Sequence, residues 1–162
     1  MGKVTALYIC AAPGQAMRAC DEVQALAGRG LQGDRYAADQ GTFSHAARQT
    51  IRHVTLIDHD AIVAANERLT RRGMQPFAPH ETRRNIVTEG IDVYALLGRE
   101  FRVGGVCMRG IEPTRPCHIP SAAANKTGFR DAFADCGGIR AAILVDGVIA
   151  LGDCVSADLD GA

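Results

Sequence analysis

The chain has 162 residues, of which 47% are hydrophobic, and its 18 basic side chains are balanced by 18 acidic ones. That length suits a single domain, residues 1–162, with a core that needs no disulfide support. Zero formal charge gives no sign of a general nucleic-acid binder, and no apolar run approaches the about 20 residues that a membrane helix needs.

Met1 to Tyr8 carries no apolar signal core followed by a cleavage site, so the expected location is the reducing cytoplasm, with free thiols. The six cysteines (Cys10, Cys20, Cys107, Cys117, Cys136 and Cys154) are scattered without a C-x-x-C pair, which argues against a zinc ribbon or a thioredoxin-type site. Lys3 and Lys126 are the only lysines; every other basic residue is arginine.

Val4 to Ile9 reads as a strand, Pro13-Gly14 as a turn, and Glu22 to Leu26 as a second strand. Gly28 to Tyr36 follows, a glycine-rich loop carrying Asp34 and Arg35, which either anchor the loop or face a ligand. It lacks the spacing of a P-loop or a dinucleotide fingerprint. Asp39 to Arg52 is polar and reads as a loop, with His45 and His53 as ordinary residues in or beside it. Val54 to Ile57 is a strand. Asp58 or Asp60 then caps a helix whose Ile62, Ala65 and Leu69 recur on one face, and Arg71, Arg72 and Gly73 close it.

Asn85 to Thr88 reads as a strand with Arg83, Arg84 and Asn85 at its entrance, a group able to donate several hydrogen bonds to an anion. Val93 to Leu97 suits a short helix. Phe101 to Val103 and Val106 to Met108 form a hairpin across Gly104-Gly105. Gly128 to Phe133 suits another short helix with Phe129 and Phe133 on one face. Ala141 to Val145 and Val148 to Ala150 are expected to pair as a second hairpin across Asp146-Gly147, a favoured tight-turn pair. Short strands, glycine-rich turns and one good helix predict a mainly β barrel with a few peripheral helices.

The stretch most suggestive of chemistry is Ile111 to Pro120, which holds three of the six prolines and Cys117. Proline fixes its own φ and biases its predecessor toward extended shapes, so Cys117 sits on a stiffened loop. Arg115 and His118 lie beside it in sequence, and cationic neighbours favour the thiolate that attacks electrophiles and binds soft metals. The alternative is an inert cysteine in a proline-rich connector.

Several stretches, in order, resemble the MOSC domain, the C-terminal module of molybdenum-cofactor sulfurases. They are Gly30–Tyr36, Val54–Ile57, Arg83–Asp92, Phe101–Gly104, Arg115-Pro116-Cys117, Gly137–Ala141 and Gly152-Asp153. The chain looks like a small stand-alone bacterial member. The resemblance implies a MOSC-type β-barrel and a reactive Cys117 that carries sulfur or ligates molybdenum in a pterin-bound molybdenum cofactor (molybdopterin). It implies cofactor-binding roles for Arg83, Arg84 and Asn85, and for Asp34 and Arg35. Relatives often have a second cysteine three positions earlier, where this chain has Thr114, so a two-thiolate site in this loop is not expected.

Three functions follow from this reading. The first is a cofactor-binding sulfur carrier served by a separate cysteine desulfurase. Such desulfurases hold pyridoxal phosphate through a lysine, and neither Lys3 nor Lys126 is well placed for that, so no pyridoxal phosphate is expected on this chain. The second is a molybdenum-dependent reductase of N-hydroxylated, amidoxime-like substrates that needs an external electron donor. The third is a binding module that kept the barrel and lost the cofactor. Nucleic acid and membrane are not expected partners.

Overall fold

The computed structural model describes residues 1–46 and 50–157. Eleven strands run in chain order: β1 (Gly2–Ile9), β2 (Arg18–Ala19), β3 (Glu22–Leu26), β4 (Gly30–Leu31), β5 (Val54–Asp58), β6 (Ile86–Glu89), β7 (Glu100–Val103), β8 (Val106–Pro113), β9 (Ile139–Ile143), β10 (Gly147–Ala150) and β11 (Cys154–Ser156). Helices α1 (His59–Arg71), α2 (Ile119–Ala124) and α3 (Phe129–Ala132) decorate them, with 3-10 turns at Pro79–Thr82 and Val93–Leu96.

Seven strands close into a barrel in the order β11-β7-β8-β9-β5-β6-β1, and β11 completes the ring by pairing with β1 at Gly2↔Val155. Closure matters because a barrel leaves no unpaired strand edge. Its neighbours are antiparallel except β5 and β6, which run parallel in the register Leu56↔Ile86. Parallel neighbours cannot be joined by a tight turn, and α1 supplies the crossover between them. Asp58 caps α1 by accepting from the Asp60 amide at 2.9 Å, and the predicted face of Ile62, Ala65 and Leu69 is buried.

Two apolar cores result. One fills the barrel, with Leu7, Leu56, Ile86, Phe101, Met108 and Ile139 within it. The other lies outside, where α1 covers Ile57 and Val87 and packs on Phe77, Phe129 and Phe133. Phe129 and Phe133 stack at 4.3 Å and Phe77 meets Phe129 edge-on at 5.2 Å, so the paired faces expected of the 128–133 segment do share a surface.

The β7–β8 hairpin forms as predicted, with Val103 opposite Val106. The expected hairpin across Asp146-Gly147 does not. β9 pairs with β5 on one side and β8 on the other, so it has no edge left for β10. β10 instead joins a small separate sheet in the order β10-β3-β4, with Ile149 opposite Val23. The Asp146 carboxylate accepts from the Ala27 amide at 2.6 Å, and the Gly28 amide donates to the Ile143 carbonyl at 3.0 Å. Asp146 thus stitches β9's end to the β3–β4 turn rather than folding the chain back.

His53 also departs from expectation. Its Nδ1 accepts from the Ile143 amide at 3.0 Å, and burial lowers its pKa, so it holds the end of β9 as a neutral ring. His45 is exposed and lies 3.8 Å from Asp39. Strands β2 and β4 and helix α2, which the sequence did not suggest, are short; α2 has Pro120 in its first turn and ends at Asn125 in the left-handed region.

Gly137-Gly138, between α3 and β9, is packed on its surroundings. Gly138 has φ +89°, and an added Cβ would run into the Leu56 carbonyl. Gly138→Ala is expected to destabilise the protein by about 2–4 kcal/mol, read as a lower urea midpoint with an unchanged slope.

Candidate functional site

Where β8 ends and β6 begins, the barrel surface opens into a cleft of about 720 Å3, its open mouth included. Its walls come from distant parts of the chain. Arg35 and Tyr36 descend from the loop after β4, Phe43 and Arg52 from the segment before β5, and Arg83 to Asn85 from the entrance to β6. Thr114, Arg115 and Cys117 follow β8, and Arg140 projects from β9. Among the described residues, six arginines line this hollow and no carboxylate does. Such a surface attracts anions and presents guanidinium forks to them.

Cys117 is half-buried, and of the six cysteines it alone lines the cleft. The loop that carries it is tied down by Thr114. The Thr114 amide donates to the Gly138 carbonyl at 2.8 Å, and its buried hydroxyl donates to the Gly137 carbonyl. The same Gly137 carbonyl accepts from Arg84 Nε at 2.7 Å. One peptide group therefore sets both the cysteine loop and the Arg84 side chain. Tyr94 adds a third tie, its hydroxyl accepting from the Gly138 amide at 3.1 Å.

The cations around Cys117 are not those nearest in sequence. His118 is exposed and does not line the cleft. Arg115 does line it, joined by Arg84 and Arg140 from other strands. Burial is the main cause that lowers the Arg84 pKa to about 10; the neighbouring Arg140 lowers it further, and the Cys117 sulfur works the other way. Arg84 keeps partial contact with solvent at the cleft, so its guanidinium is packed yet reachable.

Arg83 stands in the left-handed region, φ 61°, at the end of the 3-10 turn before β6. That conformation is costly for a residue with a Cβ. Its side chain is buried, donating to the Gln15 carbonyl at 2.7 Å and toward Cys10 Sγ at 3.7 Å. Asn85 borders the cleft but spends its amide inside the protein. Its Oδ1 accepts from the Thr55 amide at 3.0 Å and from the Thr55 hydroxyl at 3.1 Å, and its Nδ2 donates to the Tyr8 carbonyl at 3.1 Å.

Of Asp34 and Arg35, left open between anchor and ligand contact, Asp34 anchors the loop and Arg35 reaches the cleft. Asp34 is 2% exposed and lies behind the cleft wall. It accepts from the Cys10 amide at 2.9 Å, the Tyr36 amide at 3.2 Å and Asn85 Nδ2 at 3.4 Å. Arg35 reaches the cleft with one nitrogen on Asp34 at 3.3 Å and its guanidinium 4.9 Å from the Tyr36 ring.

A profile of the MOSC domain matches residues 43–156. The chain belongs to the MOSC domain family. No curated protein matches it in sequence, whereas solved structures do in shape. YuaD of Bacillus subtilis superposes with a TM-score of 0.75 at 16% identity, over 96% of this chain and 94% of that one. YiiM of Geobacillus stearothermophilus gives 0.70 at 14% identity, over 100% and 77%, and YiiM of Escherichia coli gives 0.67 at 13%, over 99% and 71%. At these identities the likeness concerns the fold.

In this MOSC domain, sequence reasoning passed over Tyr36, Phe43, Arg52 and Arg140 as cleft residues. The two arginines carry no local motif; only strand pairing brings them in. Arg140 sits opposite Thr55 on β5 and Glu112 on β8, and Arg52 lies 5.1 Å from the Phe43 ring centre.

The lowered Arg84 pKa has a measurable consequence. Anion binding requires the charged guanidinium, so affinity falls as pH rises through about 10. Sulfate, which does not itself titrate in this range, is expected to bind about twofold more weakly at pH 10 than at pH 8 and about tenfold more weakly by pH 11, read by calorimetry. Arg84→Met binds more weakly at pH 8 and loses most of that pH dependence.

Proposed function

We propose that the arginine-lined cleft takes a pterin-bound molybdenum cofactor and that Cys117 serves it as sulfur acceptor or molybdenum ligand. The observation that carries this reading is the position of Cys117, the one thiol bordering a hollow walled by six arginines. The family, named by its profile match, is associated with that cofactor. The donor set fits the group. A pterin phosphate is matched by guanidinium groups of Arg35 and Arg84, and a soft metal with dithiolene sulfur is matched by thiolate. If bound there, the cofactor would supply a molybdenum centre able to take a thiolate ligand or a sulfur atom.

The chain's own residues have separate tasks. Arg84 and Arg140 supply positive charge to the cleft, while Arg83 and Asn85 set the shape of the β6 entrance and Asp34 braces it from behind. Thr114 and the prolines hold the loop so that the Cys117 sulfur stays at the cleft wall. As a carrier, Cys117 accepts a sulfur atom as a persulfide and yields it again. The sulfur donor is a separate cysteine desulfurase. Lys126 is engaged by Glu81 at 2.6 Å and by the Pro76 carbonyl at 2.8 Å, and Lys3 faces Glu89 at 4.0 Å, which supports a partner chain as the pyridoxal-phosphate enzyme. Six free thiols suit a reducing compartment such as the cytoplasm.

The test combines the protein with a cysteine desulfurase and sulfur-labelled cysteine. Label is expected on wild type and absent from Cys117→Ser; equal labelling of the two sinks the carrier role. Elemental analysis of protein made in a host that synthesises the cofactor reads the other half. About one molybdenum per chain, lost in Cys117→Ser, marks Cys117 as a ligand. Turnover of an amidoxime with an external electron donor would make the protein a reductase instead.

A further inference from the structure

The arginines that wall the cleft are not equivalent. Arg35 is paired with Asp34 at 3.3 Å, and Arg140 with Glu112 at 2.8 Å. Arg83 is turned to the Gln15 carbonyl and Cys10 Sγ, and Arg52 lies on the Phe43 ring. Two guanidinium groups keep donors for a ligand. Arg84 is held by carbonyls through Nε and Nη1, at 2.7 and 3.4 Å, and its Nη2 is left over. Arg115 is exposed at the rim and has neither a hydrogen-bond partner nor an acidic one among the described residues. Both line the cleft with Cys117, and the Cys117 sulfur lies near enough to Arg84 to act on its charge. The Gly137 carbonyl receives both Arg84 Nε and the Thr114 hydroxyl, so one peptide group ties the guanidinium to the thiol loop.

Two guanidinium groups without acidic partners suit a small dianion. If Cys117 carries sulfur, a ligand seated there can also be the source of it. Inorganic thiosulfate joins the two properties, with sulfonate oxygens for the arginines and a transferable outer sulfur for the thiol. We propose that Cys117 takes sulfur directly from thiosulfate, whose oxygens are held by Arg84 and Arg115. The inference rests on the carrier reading above and names an inorganic donor for it besides the desulfurase. Thiosulfate and the cofactor draw on Arg84 alike, so loading of the thiol precedes entry of the cofactor.

The step balances without an added oxidant or reductant. The Cys117 thiolate attacks the outer sulfur of thiosulfate, and a new S–S bond forms as the bond to the sulfonate sulfur breaks. The electron pair leaves on sulfite, and Cys117 is left as the persulfide anion Cys–S–S⁻. One negative and two negative charges enter, and the same charges leave. In water a thiolate and a dianion repel each other. Guanidinium groups on the oxygens offset that repulsion and stabilise the charge that gathers on the departing sulfite.

The experiment mixes the reduced full chain with thiosulfate or with a persulfidated cysteine desulfurase. Intact-mass spectrometry follows the gain of one sulfur atom, and a sulfite assay follows the leaving group. Wild type is expected to gain one sulfur for each sulfite released, and Cys117→Ser to gain none. Alkylation by neutral iodoacetamide reads the reactivity of the thiol on its own. Arg84→Gln and Arg115→Gln are each expected to slow thiosulfate loading about tenfold relative to alkylation, the scale of one hydrogen bond to a charged group, while circular dichroism reports an unchanged fold. Loading by the desulfurase but not by thiosulfate overturns the inference and leaves the carrier reading standing. A ratio unchanged in either folded variant overturns it as well, as does equal thiosulfate loading of Cys117→Ser. No loading from either donor overturns the inference and the carrier reading together.

Discussion

Backbone carbonyls, rather than carboxylates, hold the two arginines at the entrance to β6, and the character of the site follows from that. Arg83 is fixed by the Gln15 carbonyl and Arg84 by those of Gly137 and Thr82, at 2.7, 2.7 and 3.4 Å. A carbonyl orients a guanidinium without cancelling its charge. Among the described residues neither arginine has an acidic partner, so their positive charge is available to a ligand. The cost shows in Arg84, whose pKa falls to about 10 because burial and Arg140 both penalise the cation. An anion held there would relieve that penalty.

Such an arrangement needs a rigid frame, and the barrel provides one through buried polar ties. Asn85 joins β1 and β5 through Tyr8 and Thr55, and Asp34 pins the β4 loop to the Cys10 amide and to Asn85. Asn85 and Asp34 are themselves nearly buried, where an unpaired polar atom costs about 1–3 kcal/mol. The network is fully paired, with no buried side-chain nitrogen or oxygen left unsatisfied among the described residues. Removing any one member therefore strands its partners, and this frame rather than ligand contact is what Asp34 and Asn85 contribute most directly.

Local signals made much of this legible in the sequence. The cysteine loop declared itself through Pro113, Pro116 and Pro120, and α1 through its apolar spacing and its aspartate cap. The Arg83–Asn85 cluster stood out because its members are adjacent in the chain. What escaped were features made by strand pairing. Arg52 and Arg140 come from segments far apart in sequence, and nothing near either predicts that they share a wall. The Asp146-Gly147 turn misled for a related reason. The pair has the right composition for a hairpin, but a strand has only two edges, and β5 and β8 occupy both edges of β9. Tertiary pairing overrode turn chemistry, and Asp146 was put to use bonding Ala27 instead.

Thr114 shows how one substitution of type can fix what the loop does. Its side chain is 4% exposed, and its hydroxyl donates to the same Gly137 carbonyl that receives Arg84. A thiol at that position would be a weak donor and would hold the loop less firmly. With threonine there, the position is architectural, and the cleft has a single sulfur. A lone thiol cannot close a disulfide with a loop neighbour, so under the proposed carrier role a persulfide on Cys117 would wait for an external acceptor. The other cysteines do not change this conclusion. Cys10 is buried with its sulfur on the Ala12 and Gln15 carbonyls, and Cys136 lies against α1 with its pKa raised by burial. A site with one thiol on a threonine-anchored loop, beside two arginines held by backbone carbonyls, is not built for dithiol chemistry.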